Sequence, residues 1–140
     1  MPQRFVTQCF AVVAIWLLAG IGDANACACD AKLPQQRIDD AEHIFIARVD
    51  VIEREGPEET ILHLTDVYPL IGPGEKTIVV DNRNCPTRIT QNHYYVFYAK
   101  EEDGAVKTDV CMGIRKSSFF PKELCLIDQR RGASHDCRQF

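Results

Sequence analysis

From residue 43 onward the chain alternates apolar and polar positions in short runs separated by turn residues. His43–Ile52 reads HIFIARVDVI, with Phe45, Ala47, Val49 and Val51 alternating against Ile46, Arg48 and Asp50. Period-two alternation over such a run predicts a half-buried strand. Four more runs predict strands: Thr60–Tyr68, Lys76–Asp81, Tyr94–Lys100 and Ala105–Cys111. Between them lie an acidic loop around Gly56-Pro57, a break at Gly72-Pro73-Gly74, a long loop around Cys85-Pro86, and Asp103-Gly104. The last is a strong hairpin signal, because both residues tolerate the left-handed backbone of a tight turn. Ahead of the first strand, Pro34–Glu42 is polar and starts on proline, which predicts a short helix. A second helix is predicted near the end of the chain. Ser117 or Ser118 caps it, Pro121 sits in its first turn, and Arg130, Arg131 and Gly132 mark its end. Phe120, Leu124 and Ile127 are its expected buried face. Five short strands with a late helix predict an all-β fold with short helices, closed or nearly closed so that no strand edge is left open. The Greek-key oligomer-binding (OB) barrel is the natural candidate, although periodicity alone does not separate it from other small barrels.

The chain starts differently. Arg4 precedes an apolar stretch, Phe10–Ile21 (FAVVAIWLLAGI), followed by the small-x-small triplet Ala24-Asn25-Ala26. Twelve residues are too few to span a bilayer, which takes roughly 20, and suit the core of a secretion signal. Residues 1–26 are therefore expected to be a signal peptide. A lipid-attachment signal would carry Leu at the position held by Ala24, so ordinary cleavage after Ala26 is the expectation. Residues 27–140 then form a single domain, secreted or periplasmic.

Cleavage changes the cysteine count. Cys9 leaves with the signal, and the seven cysteines become six: Cys27, Cys29, Cys85, Cys111, Cys125 and Cys137. An even number in a small exported domain predicts a disulfide framework, with fifteen full pairings open. No CxxC pair occurs, so zinc-finger spacing is excluded. The net charge of −4 is unaffected by loss of Arg4 and Asp23, and no basic patch emerges. Nucleic acid and anionic membranes are therefore poor partners. A monomer is expected.

Candidate chemistry is sparse. His43, His63, His93 and His135 have neither HxH nor HExxH spacing. Asp39-Asp40, placed at a helix start, read as cap and dipole partners. Asp81-Asn82-Arg83-Asn84 lacks the glycine and the glutamate of a calcium loop. Tyr94, Tyr95, Phe97 and Tyr98 alternate along one strand, half core and half surface, in preference to a stacking platform. With every cysteine of the mature chain able to pair, no thiolate nucleophile is expected. No enzyme and no cofactor are predicted.

The organising feature is Cys27-Ala28-Cys29 at the new terminus. Two cysteines at i and i+2 of an extended strip cannot bond to each other, because the Cα spacing and Cβ directions are wrong. Each must reach elsewhere, so the strip is pinned twice within three residues. Cys27-Ala28-Cys29, Pro34-Gln35-Gln36 and Asp40–Val49 together resemble the start of the tissue inhibitors of metalloproteinases. Gly72-Pro73, Asn84-Cys85 and Cys111 follow in the family's order, and the resemblance covers roughly residues 27 to 116. It implies an OB-like netrin-module barrel with disulfides Cys27–Cys85 and Cys29–Cys111, which leaves Cys125 and Cys137 to pair. The chain departs from the family at Ala31, where proline is usual, and at Asp39, where a further cysteine is usual. The likeness extends to no counterpart of the family's C-terminal subdomain.

The resemblance further implies a secreted inhibitor of zinc metalloproteases. A catalytic zinc keeps one coordination position open for water. The α-amine of Cys27, with an intrinsic pKa of about 7.7 to 8.0, and its carbonyl oxygen would occupy that position as ligands to the partner's zinc. Ala28 would enter the adjacent specificity pocket, where the family usually has Thr or Ser, and its smaller side chain predicts weaker or more selective binding. Asp30, Asn84, Cys85 and Pro86 would flank the terminus. The alternative is a non-inhibitory netrin-like module that binds another extracellular or periplasmic protein, its disulfides serving only to staple a small barrel. Ala28 permits inhibition, whereas Gly or a charged residue would argue against it.

Overall fold

Strands β1 (His43–Glu55) and β2 (Glu59–Ile71) form one long antiparallel ribbon around which the other elements close. The computed structural model describes residues 27, 29, 32–116, 121–134, 136 and 137. The expected signal peptide, Ala28, Asp30, Ala31, the capping serines Ser117 and Ser118, Phe120 and His135 lie outside the described residues. Strand β3 (Thr77–Asp81) pairs antiparallel with β2, and β4 (Tyr94–Glu102) pairs antiparallel with β1. Strand β5 (Ala105–Asp109) leaves β4 after three pairs and runs parallel to β3. The order β1-β2-β3-β5-β4 returns to β1 and closes a five-stranded mixed barrel with the Greek-key connectivity of the OB fold. Asp103 and Gly104 both have positive φ, 55° and 74°, as the hairpin between β4 and β5 requires.

Two cores result, one on each side of β1 and β4. Inside the barrel lie Phe45, Ala47, Val49, Leu62, Val80 and Phe97, among others. Phe45 and Phe97 are directly paired across the ladder, with ring centroids 5.4 Å apart. Outside, Ile44, Val96 and Tyr98 pack against Ile38 of the first helix, Ala41 just after it and Ile127 of the second helix. Helix α1 spans Pro34–Asp40 and α2 spans Pro121–Arg130. Burial on both faces explains why HIFIARV and YYVFYA are nearly continuous apolar runs. Of the tyrosines expected to be half surface, only Tyr94 is exposed; Tyr95 and Tyr98 are buried, on opposite faces of β4.

Several expectations need correction. Val51 is 43% exposed, because a register shift between Val49 and Val51 turns the strand over, as a bulge does. Strand β5 stops at Asp109, short of Cys111, where the Asp109 carboxylate and carbonyl accept the backbone N–H groups of Met112 and Gly113. A sixth strand, β6 (Ile114–Lys116), pairs with Tyr95–Phe97 in the gap left by β5. Asp39 and Asp40 end α1 instead of starting it; Asp39 accepts from Gln35 and Asp40 pairs with Lys32 at 2.6 Å. The Lys32 ammonium holds the Asp40 carboxyl below the usual carboxylate range. On α2 the buried residues are Glu123 and Ile127, while Leu124 is 38% exposed.

Candidate functional site

The cysteines at the chain's expected new terminus are joined to two different loops of one barrel end. Cys27 bonds Cys85 in the loop after β3, and Cys29 bonds Cys111 in the turn after β5. Cys27 is exposed and Cys29 half-buried, while Cys85 is buried between the exposed Asn84 and Pro86. The third bond, Cys125–Cys137, ties α2 to the tail. Ala28 and Asp30, expected beside these cysteines, fall outside the described residues. Cys27, Cys29, Asn84, Cys85 and Pro86 are thus brought together by two disulfides and by their order in the chain.

Asn82 holds the loop that carries Cys85. Its side-chain amide donates to the Gly56 carbonyl at 3.0 Å and to Thr60 Oγ1 at 2.8 Å, and its own N–H donates to the Glu58 carbonyl at 2.8 Å. Its Oδ1 accepts from the Thr87 N–H at 3.4 Å. Asn82 is buried, so these bonds satisfy an amide that water cannot reach. The β1–β2 turn and the Cys85 loop are therefore one hydrogen-bonded unit. Beside it, the Arg83 guanidinium holds the Asp81 carboxyl below its ordinary range, and Asp81 in turn raises Arg83.

The turn that carries Cys111 is equally constrained. Gly113 donates to the Asp109 carbonyl at 3.2 Å, and its φ of +116° lies in a region that favours glycine. A Cβ at Gly113 would stand 2.9 Å from Cδ of Arg37, so the stem of that arginine rests on the turn. Arg37 belongs to α1, which follows the terminal strip directly; its N–H donates to the Leu33 carbonyl at 3.1 Å. The Leu33 N–H in turn donates to Gln36 Oε1 at 3.0 Å.

Behind Arg37 lies a buried polar cluster that sequence reading missed. Glu123 Oε1 accepts from Arg37 Nη2 at 2.6 Å and forms an ion pair with Arg115 Nη1 at 3.0 Å, and its Oε2 accepts from the Tyr98 hydroxyl at 2.9 Å. Arg130, at the other end of α2, donates to the carbonyls of Ile38 and Ala41. The available signal was weak: Glu123 stands four residues before Ile127, on the same helical face. Asn82 had no better signal than its place in an asparagine-rich loop.

This barrel end presents the exposed Cys27 and the half-buried Cys29, each bonded to a separate hydrogen-bonded loop. The three described histidines are engaged elsewhere: His43 with the Pro73 carbonyl, His63 with Glu53 and His93 with the Gln91 carbonyl. No family model matches the chain, and no curated protein matches it in sequence.

Proposed function

We propose that the chain is an exported inhibitor of zinc metalloproteases, acting through the α-amine and carbonyl of Cys27 after cleavage behind Ala26. The observation that carries this reading is the double pinning of Cys27 and Cys29 to Cys85 and Cys111. A terminus held in this way loses little freedom on docking, and lower ordering cost is what makes a short segment bind tightly. The neutral amine and the carbonyl oxygen form a chelating pair that takes the coordination site of the nucleophilic water on the partner's zinc. Ala28 enters the pocket beside the metal, and Asp30, Asn84 and Pro86 make the surrounding contacts. Three disulfides fit an oxidising compartment outside the cytosol.

The test is titration of a panel of zinc metalloproteases with native protein and with protein whose Cys27 amine has been acetylated, folding being followed by circular dichroism. Native protein is expected to inhibit at least one protease and the acetylated form none, because the acetyl group removes the ligating lone pair. A folded acetylated protein that inhibits as well as the native form rules out chelation. Absence of inhibition by both forms leaves the non-inhibitory binding module as the better reading.

A further inference from the structure

We propose that Glu123, on a helix remote in sequence from the terminus, is a positioning residue for the Cys27–Cys29 strip, a reading that rests on the inhibitory function proposed above. Both ends of the segment between Cys29 and α1 converge on one residue, Arg37, one end through its side chain and the other through its backbone. At one end, Cys29 is bonded to Cys111, two residues before Gly113, and Arg37 lies across Gly113. At the other end, the backbone of Arg37 holds the Leu33 carbonyl. The Arg37 side chain therefore ties the Cys111 turn, and through its disulfide Cys29, to the helix that follows the strip.

Glu123 decides where Arg37 sits. The guanidinium is held by the Glu123 carboxylate at 2.6 Å and lies over the Tyr98 ring, with its carbon 5.9 Å from the ring centroid. Its Nε is buried with no hydrogen-bond partner among the described residues, so that edge gives Arg37 no second polar anchor. Arg115 and Tyr98 fix the carboxylate from two further elements, β6 and β4. Without the carboxylate, a buried guanidinium is left unpaired and must turn toward water. That movement withdraws the stem from Gly113 and frees the Cys111 turn.

The experiment compares native protein with Glu123→Gln and Glu123→Ala, all oxidised and all kept well below their unfolding transitions. Mild thiol reductant, quenched alkylation and peptide mapping give the reduction rate of each disulfide. In Glu123→Ala, Cys29–Cys111 is expected to be reduced about tenfold faster while Cys27–Cys85 keeps its native rate, the size of effect carried through packed neighbours. Glu123→Gln, whose one carbonyl oxygen can still accept from Arg37 while its amide N–H donates to the Tyr98 hydroxyl oxygen, is expected to recover most of the difference. Equal acceleration of both bonds means only global loosening and overturns the proposal, as does no acceleration of either. Should Glu123→Ala not fold, Arg37→Lys carries the same test, because it keeps the charge but loses the fork that reaches Glu123. A parallel titration against a sensitive protease should show about tenfold faster dissociation for Glu123→Ala with an unchanged association rate. If native protein inhibits nothing, the inhibitory reading fails, while the reduction rates still decide whether Glu123 positions the strip.

Discussion

Arg37 on α1 and Glu123 on α2 meet at 2.6 Å with side-chain exposures of only 10% and 5%, although 86 residues separate them in the chain. An ion pair this buried gains little net stability over a well-packed apolar pair, but breaking it from one side is costly. Glu123→Ala is therefore expected to destabilise by about 3 kcal/mol or more, since it strands a buried guanidinium. Arg37→Met should cost less, about 2 kcal/mol, because Arg115 stays on the carboxylate. The double variant should cost less than the sum, by about 1 to 3 kcal/mol of coupling. Urea denaturation of the four proteins measures this, and strictly additive costs would mean that the pair does not act as one.

Alkaline pH tests the same cluster from the tyrosine side. Burial, with the adjacent Glu123 charge second, pushes the Tyr98 hydroxyl well above its ordinary value, which is about 10. Above about pH 10 the unfolded chain releases this proton while the folded chain keeps it. The unfolded state then binds fewer protons, so stability falls as pH rises. The contribution of Tyr98 is complete below about pH 10 and is lost on the way up to the folded-state pKa. Tyr98→Phe has no such proton, and its stability should decline more gently above about pH 10 than that of native protein. Parallel declines would show that Tyr98 does not carry the alkaline loss.

Asn82 makes a sharper local prediction. Its amide donates to the Gly56 carbonyl and to Thr60 Oγ1, so Asn82→Asp sets a carboxylate against those oxygens with nothing to donate to the carbonyl. Asn82→Ala merely leaves the partners unpaired, at a cost of about 1 to 3 kcal/mol. The aspartate is expected to be the worse of the two at neutral pH and to recover as acid protonates it. Thermal melts across the acidic range check this, and equal melting of the two variants would place the strength of the site elsewhere.

What was legible in the sequence depended on whether a signal was local. Five strands and the Asp103-Gly104 hairpin follow from alternation and turn chemistry, which neighbouring residues fix. The exposure of Val51 is not legible, because a bulge depends on the partner strand, here β2, and leaves no mark in one run of residues. Strand β6 has only three residues and forms because β5 departs from β4; no periodicity resides in so short a run. Apolar residues are the default core, so the pattern favours Leu124, whereas the burial of Glu123 follows only from Arg37 and Arg115. Asp39 and Asp40 close rather than open the short helix because it starts at Pro34. At the candidate site the twin cysteines were plain, but spacing left their partners open, and the role of Asn82 required the β1–β2 turn to be in place.

The three disulfides close separations of 58, 82 and 12 residues, and their removal should separate stability from function. In the chain-entropy model these loops are worth roughly 4, 4.5 and 3 kcal/mol. Paired Cys125→Ser and Cys137→Ser substitutions should thus cost about 3 kcal/mol and leave the terminal strip bonded at both cysteines. Inhibition by that variant, measured while it is folded, should stay within about twofold of native, as expected for a change outside the contact surface. Paired Cys27→Ser and Cys85→Ser substitutions are the telling comparison. Residue 27 keeps the α-amine and carbonyl proposed to ligate zinc, but the end of the strip is released. Reordering two backbone residues costs about 1 to 2 kcal/mol each, which corresponds to about 100-fold weaker inhibition. The expected pattern is therefore modest destabilisation with full inhibition for one pair, and a folded barrel with poor inhibition for the other. A serine variant at Cys27 and Cys85 that inhibits like native protein would show that preorganisation of the terminus contributes nothing to binding.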